Sequence, residues 1–425
     1  MNITHKKYLG LVIAAVLSTT VQAGSFRDAL QGGKFTGDIN NVFASGSKTD
    51  ATSAAGPLNN SHVGSSAISV AYKTANYEGF TLGIALQHGK DWRIHDGASG
   101  LNAEDDSRNS ISSTNLQNLY VNYSFDTNLT DTSIRIGRQD IISPLIMRSS
   151  MFPMKDAFDA VVVTNKDISN TTLKMMYVSN WIKRYGSSAS TSPVQQDAEF
   201  DGSVYSIYLN NNSIKGLNIE GQWMSNDSDN TLAGDPPTNV PTNGPYDTTF
   251  LALTYKVPDT NIVLGAKNLT ASFDNSANTD YFGLKAGTKV GGVGVTLAYT
   301  SVSDDNNLPG TLGHVPLFRA YATTQTDAEF IAGVDATSLT LDYNFGVKGL
   351  KSALVFASWD QNSEGLTNSG GINLDGASEI ALDVKYRFEG IAGLSTRIQL
   401  SQMDYDLDNA DSDLTYLRMH LKYQF

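Results

Sequence analysis

The chain has 425 residues, 40% of them hydrophobic and 9% aromatic, with 37 Gly, no Cys and a formal charge of −13. That acidic balance argues against a nucleic-acid surface, the missing cysteines exclude a disulfide scaffold or a thiolate metal centre, and no apolar run approaches the roughly 20 residues a membrane helix needs. At the N-terminus Lys6 and Lys7 precede a short apolar run, Leu9 to Leu17, and Val21-Gln22-Ala23 reads as a small-residue cleavage site. Residues 1–23 are therefore a predicted signal peptide, and residues 24–425 form a single exported domain whose charge, without Lys6 and Lys7, is −15.

From there the chain alternates. Leu119, Val121, Tyr123 and Phe125 interleave with Asn118, Tyr120, Asn122 and Ser124, and Ile380, Leu382, Val384, Tyr386 and Phe388 with Glu379, Ala381, Asp383, Lys385 and Arg387. The last segment alternates Leu417, Met419, Leu421, Tyr423 and Phe425 with Arg418, His420, Lys422 and Gln424. Period two, with one wholly apolar face over about ten residues, is a transmembrane strand between lipid and a wet lumen. Eighteen such segments are predicted: 34–44, 65–74, 78–88, 115–125, 132–139, 157–164, 171–180, 202–211, 215–225, 247–256, 261–270, 279–288, 292–301, 337–345, 351–360, 377–388, 394–404 and 414–425. The expected fold is all-β, a transmembrane antiparallel barrel of about eighteen strands.

The connections alternate too. Residues 45–64, 89–114, 140–156, 181–201, 226–246, 302–336 and 361–376 are long, with 271–278 and 405–413 as shorter members of the same set. Those between, such as 75–77, 212–214 and 289–291, are short. Short periplasmic turns and long outer loops are expected of a barrel with both termini inside. The terminal Phe425 would be the contact for the barrel-assembly machinery, and lipopolysaccharide the neighbour of the outer rim.

Little points to catalysis. The mature histidines, His62, His88, His95, His314 and His420, come without a nucleophile motif, and Gly291-Gly292-Val293-Gly294 lacks the lysine and helix of a phosphate loop. Asp404, Asp406, Asp408, Asp411 and Asp413 lack the glycine and closing glutamate of a calcium loop. No enzyme activity, metal or cofactor is expected.

The lumen face carries more. Pairing the last three strands across their connections sets Lys385, Arg387, Arg397 and Arg418 on adjacent strands with His420, a basic stripe. Like charges on neighbouring strands repel by about 0.2–1 kcal/mol per pair, so the stripe is either used or offset by the lumen acids Asp38, Glu220, Asp342, Glu379 and Asp383. The loop 140–156 is unlike the others: apolar, Met-rich and holding Pro144 and Pro153. Folding inward would hide Ile142, Leu145, Met147 and Phe152, narrow the pore alongside Pro144 and Met151, and bring Arg148 and Lys155 to the constriction.

Phe26-Arg27-Asp28-Ala29-Leu30 with Gly33-Lys34-Phe35-Thr36-Gly37-Asp38-Ile39 resembles the opening of OprD-type outer-membrane porins. Ile134-Arg135-Ile136-Gly137-Arg138-Gln139, running on to Ser143-Pro144-Leu145, resembles that family's strand entering its constricting loop. The resemblance implies an eighteen-stranded, monomeric-pore barrel in a Gram-negative outer membrane, often trimeric, passing small hydrophilic solutes, many bearing carboxylates. It also implies a basic ladder, with Arg135 and Arg138 as rungs by position. Their opposite parity lets only one point straight into the lumen unless a bulge intervenes. Two other readings stand beside this one: a general, cation-leaning porin, and a surface-interaction barrel (adhesin or phage receptor) for which the loop 302–336 would serve.

Overall fold

A computed structural model of the chain describes residues 23–48, 61–92, 94, 111–127, 130–148, 152–183, 197–227, 245–274, 276–309, 311–312, 316–318, 330–362, 374–404 and 414–425. The predicted signal peptide up to residue 22, most of the acidic run after Asp404, and Met151 lie outside the described residues.

A short helix, α1 (Ala23–Gln31), leads into eighteen strands: β1 (Lys34–Lys48), β2 (Ser61–Lys73), β3 (Phe80–Asp91), β4 (Ser112–Thr127), β5 (Thr130–Gln139), β6 (Ala157–Asn165), β7 (Thr171–Ile182), β8 (Asp197–Asn211), β9 (Leu217–Asn226), β10 (Tyr246–Lys256), β11 (Val263–Phe273), β12 (Thr279–Val290), β13 (Val293–Val302), β14 (Val334–Tyr343), β15 (Leu350–Gln361), β16 (Ser378–Arg387), β17 (Leu394–Asp404) and β18 (Leu414–Gln424). Each is antiparallel to its sequence neighbour, and β1 pairs with both β2 and β18. The sheet is thus a closed barrel with no free edge.

All eighteen predicted segments are strands, and long and short connections fall at opposite ends. Several strands run past their predicted outer ends, β1 to Lys48 and β4 from Ser112. Those extensions, Ser45-Gly46-Ser47-Lys48 for example, carry no lipid-facing apolar alternation. Ladder pairing with β18, β2 and β3 holds these extensions in the sheet, where periodicity gives no signal.

The faces follow the alternation. Ile380, Leu382, Ile398, Leu400, Met419 and Leu421 are exposed on the outer face of the barrel, whereas Ala381, Gln399, Ser401 and Arg418 are buried inside. Near the short-turn end of β18 the backbones of Gly37 and Phe425 exchange hydrogen bonds of 2.9 and 3.0 Å. The Phe425 ring occupies the space a side chain at Gly37 would need.

The helix α1 was not signalled by the strand pattern. Phe26, Ala29 and Leu30 make a small helical stripe. Phe26 meets Tyr77 edge-on at 6.1 Å, and the Ala29 carbonyl accepts from the Ala75 amide at 3.0 Å. The helix therefore seats on the β2–β3 turn.

Candidate functional site

The loop 140–156 folds into the barrel and crosses it. Its strand ends belong to β5 and β6, yet its contacts reach almost opposite walls. On one side Asn40 of β1 donates to the Phe152 carbonyl at 2.9 Å, and Gln87 of β3 brackets Lys155, donating to its carbonyl at 2.7 Å and accepting from its amide at 3.0 Å. The Lys155 ammonium pairs with the Asp38 carboxylate in a nearly buried salt bridge. On the other side Gln222 of β9 accepts from the Leu145 amide at 2.7 Å and donates to Ser143 Oγ at 3.1 Å. Polar lumen side chains thus supply the partners that an inserted loop backbone requires.

The loop's apolar residues decide which side of the lumen it fills. Ile141, Leu145 and Ile146 join Phe158, Trp181, Phe250, Leu269 and Tyr281 in one buried cluster on the β6–β12 wall. Each such side chain contributes roughly 1.5–3 kcal/mol on burial, and together they seat the loop on that wall. Pro144 is buried with them, and Met147 is half-buried. Ile142, expected to be hidden, is 55% exposed. Its carbonyl accepts from Lys174 Nζ at 2.7 Å, and that bond turns the side chain out of the packed face.

A second loop enters as well. Leu308, Leu312, Leu317 and Phe330, all between β13 and β14, are buried in the same cluster. Leu312 exchanges backbone hydrogen bonds with Leu145 and Met147 at 3.0 and 2.9 Å. Phe318 lies over Gly265, where any Cβ would collide with its ring, and beside Gly283, whose Cβ would meet the Tyr281 hydroxyl first, and Lys267 reaches the same ring at 4.6 Å. The described part of the loop 302–336 is therefore an interior element, not the free surface loop its length suggested.

Toward the short-turn ends of β14–β18 and β1 the lumen wall carries two recesses rich in basic side chains, one of which also holds Asp342 and Asp383. In register across four strands stand Lys351, Lys385, Arg397 and His420, and across the next row Arg387, Ser395, Lys422 and Asn40. Lys385, Arg397 and His420 thus fall side by side, with Arg387 one step nearer the short turns. Asp383 compensates in part: it takes a bidentate pair from Arg397 at 2.9 and 2.8 Å and lies 3.2 Å from Lys385 Nζ. Arg387 and Lys422 make no ion pair to any described residue. Arg148 forms a 2.9 Å salt bridge with Asp140 inside the loop.

Three predicted site residues take other roles. Arg418 is 1% exposed: its guanidinium lies 5.3 Å from the Phe152 ring and 5.6 Å from Tyr416. It is a prop beneath the loop rather than a rung. Lys155 is likewise consumed by Asp38 and presents no free charge to the constriction. Arg138 shares the parity of Ile134 and Ile136, and its guanidinium is bound bidentately by Asp159 at 2.8 and 3.0 Å. Arg135 has the lumen parity, and its guanidinium lies 4.4 Å from the Tyr120 ring. Tyr120 itself fills the space opposite Gly83.

The acids scatter. Glu220 accepts from Tyr208 at 2.8 Å on the packed wall, Glu379 is buried near the outer rim, and Asp342 lies over Gly294 near the short-turn end. Asp167, Asp227, Asp259, Asp274, Asp304 and Asp305 fall in the connections, so much of the negative charge is off the pore wall. Lys351 and Lys422 were not part of the predicted stripe, although their parity already placed them on it. Among the described residues no group of three His, Asp or Glu is arranged to hold a metal. An apolar hollow of about 930 Å³ lies around Leu253, Leu264, Leu284 and Leu297, away from these charges.

No protein-family model matches the chain, and no curated protein matches it significantly. Solved structures do. The crystal structure of Pseudomonas aeruginosa OccK3 (OpdO) is 13% identical, with 96% of this chain and 99% of that one covered and a TM-score of 0.69. P. aeruginosa OccK9 (OpdG) gives 14%, 93%, 99% and 0.70, and Acinetobacter baumannii OccAB1 gives 13%, 94%, 98% and 0.71. Across nearly its whole length, the chain is an eighteen-stranded antiparallel β-barrel with the fold of the OprD/Occ porins.

Proposed function

We propose that the chain is an outer-membrane porin: a constricted, water-filled channel through which small hydrophilic solutes diffuse, with a basic open wall that favours carboxylate-bearing ones. The observation that carries this reading is the division of the lumen. Two inserted loops pack their apolar residues against β6–β12, and solute is left to pass along β14–β18 and β1, where Lys351, Lys385, Arg387, Arg397 and Lys422 line the wall. Charges at the narrowest part govern selectivity, so an acidic chain can still prefer anions. A barrel of about this strand number leaves an aqueous lumen, and its apolar belt fits a Gram-negative outer membrane with lipopolysaccharide at the outer rim.

Liposome swelling tests it. Proteoliposomes should swell several-fold faster in an organic carboxylate salt than in the salt of an organic amine of equal size. Equal rates, or faster swelling with the amine, would favour the general cation-leaning channel, whose motivation is the lumen acids Glu220 and Asp342. No swelling above empty liposomes would favour a surface-interaction barrel.

A further inference from the structure

Resting on the outer-membrane part of that reading, we propose that the outer face of β9–β15 holds a site for one anionic diacyl phospholipid of the periplasmic leaflet. The apolar hollow of about 930 Å³ opens on that face. Leu253, Leu264, Leu284 and Leu297 in its lining are exposed, while Ala252, Leu269 and Tyr281, of opposite parity, are buried inside the barrel. The lining follows one cross-strand row, Tyr255, Leu264, Ala286, Leu297, Leu339 and Phe356, each directly opposite the next. In the row above it Ala266 stands between Leu253 and Leu284. Ala266 and Ala286 make a floor of small residues, and the leucines with Tyr255 and Tyr299 make the walls. A second barrel presents a convex face that cannot fill a narrow floor of this kind. A flexible acyl chain can.

Depth and charge choose the leaflet and the headgroup. Tyr255 is next to the last residue of β10, whereas Phe356 lies midway along β15. The row therefore climbs from the short-turn rim to about mid-membrane, the depth of one leaflet's hydrocarbon, roughly 15 Å. At the rim Leu217 lies opposite Tyr255, and the Lys256 amide donates to the Gly216 carbonyl at 2.8 Å. That bond sets Lys215 and Lys256, both exposed, beside the mouth of the hollow. Long lysine side chains at strand ends carry their charge to the interface along an apolar stem. Neither lysine has an ion pair to any described residue, and the one acid in these two turns is Asp259. Beyond the other end of the row Asp335 and Asp360 stand directly opposite each other on β14 and β15. A lipid phosphate is thus attracted to the short-turn end and repelled from the far one, the orientation of a periplasmic-leaflet phospholipid. Lysines near the membrane surface add electrostatic attraction to the burial of the acyl chains. A zwitterionic lipid gains the apolar contact and little of the charge.

The test is native mass spectrometry of the detergent-purified barrel, titrated with phosphatidylglycerol and with phosphatidylcholine of the same acyl chains. The wild-type barrel should retain one phosphatidylglycerol at a concentration at least fivefold below that for phosphatidylcholine. Ala286→Trp and Ala266→Trp, which fill the floor, should each cut phosphatidylglycerol retention at least fivefold. Lys215→Gln/Lys256→Gln should bring the two lipids within twofold of each other. Lys348→Gln, at an exposed turn lysine paired with Glu389, should leave the preference unchanged. Heat-modifiability gels establish that each variant is folded. A wild-type preference within twofold of unity overturns the site, as does full retention in the Trp variants or a preference that survives loss of both lysines. Dimers that the Trp variants abolish, without retained lipid, overturn it too and assign the hollow to a second copy. The KCl conductance of the same preparations keeps the two levels apart. Conducting channels with no lipid preference remove the site alone, whereas absence of conductance removes the porin reading whether or not lipid is retained.

Discussion

Asp38→Asn should unseat the constricting loop and raise single-channel conductance at least twofold, with open-state noise that the wild-type channel lacks. The Asp38–Lys155 pair is about nine-tenths buried on both sides, and removing one member of a buried pair leaves an uncompensated charge, a cost of about 3–5 kcal/mol. The barrel is held by eighteen ladders and does not depend on this contact, so the energy falls on the loop. The other polar ties on this side of the loop, the Asn40–Phe152 and Gln87–Lys155 hydrogen bonds, contribute about 0.5–1.5 kcal/mol each. They do not offset a stranded ammonium. Lys155→Met removes the opposite charge, and the double variant Asp38→Asn/Lys155→Met should lie nearer the wild type than Asp38→Asn alone, because no buried charge is left over. Planar-bilayer recordings of the three variants check this. Unchanged conductance in Asp38→Asn would show that the loop is fixed by its apolar seat alone.

Arg397→Gln should shift selectivity toward cations. Arg397 and Lys385 share Asp383. Without the guanidinium, Asp383 is left to Lys385, and that cluster changes from two cations against one acid to one against one, with Lys351 beside it in the row. Arg418→Gln behaves differently. Arg418 is buried beneath Phe152, so this change should lower the temperature at which the folded barrel loses its gel mobility and should move selectivity little. Reversal potentials and heat-modifiability gels on both variants separate a charge that solute meets from one that props a loop. The reverse outcome, with Arg418→Gln dominating selectivity, would place Arg418 on the solute path.

The strand plan was legible because lipid on one face and water on the other impose a strict period of two on every segment, and eighteen segments repeat it. Parity alone also placed Lys385, Arg397 and His420 on one face in adjacent register, as the structure has them. It carried the information for Lys351 and Lys422 as well. Lys351 precedes a lumen face of small and apolar residues, Ala353, Val355 and Ala357, and so did not stand out as part of a charged row. Periodicity is silent where the chain leaves the sheet. The apolar composition of 140–156 signalled an inward fold, but the rotation that buries Ile146 and exposes Ile142 depends on Lys174 and Gln222, far away in sequence. The entry of Phe318 depends on Gly265 leaving a slot, which no local pattern announces. The burial of Arg418 required knowing where Phe152 comes to rest.

The central claim is that the open side of the constriction is electropositive in a chain of net charge −13. The most direct measurement is the reversal potential of the purified protein in a planar bilayer under a KCl gradient. The lumen described here predicts anion selectivity, weakened by high salt as exposed wall charges are screened. Cation selectivity at low salt would contradict it, because Asp342 and Asp383, which stand on the same wall as Lys351, Lys385 and Arg397, would then outweigh the cations.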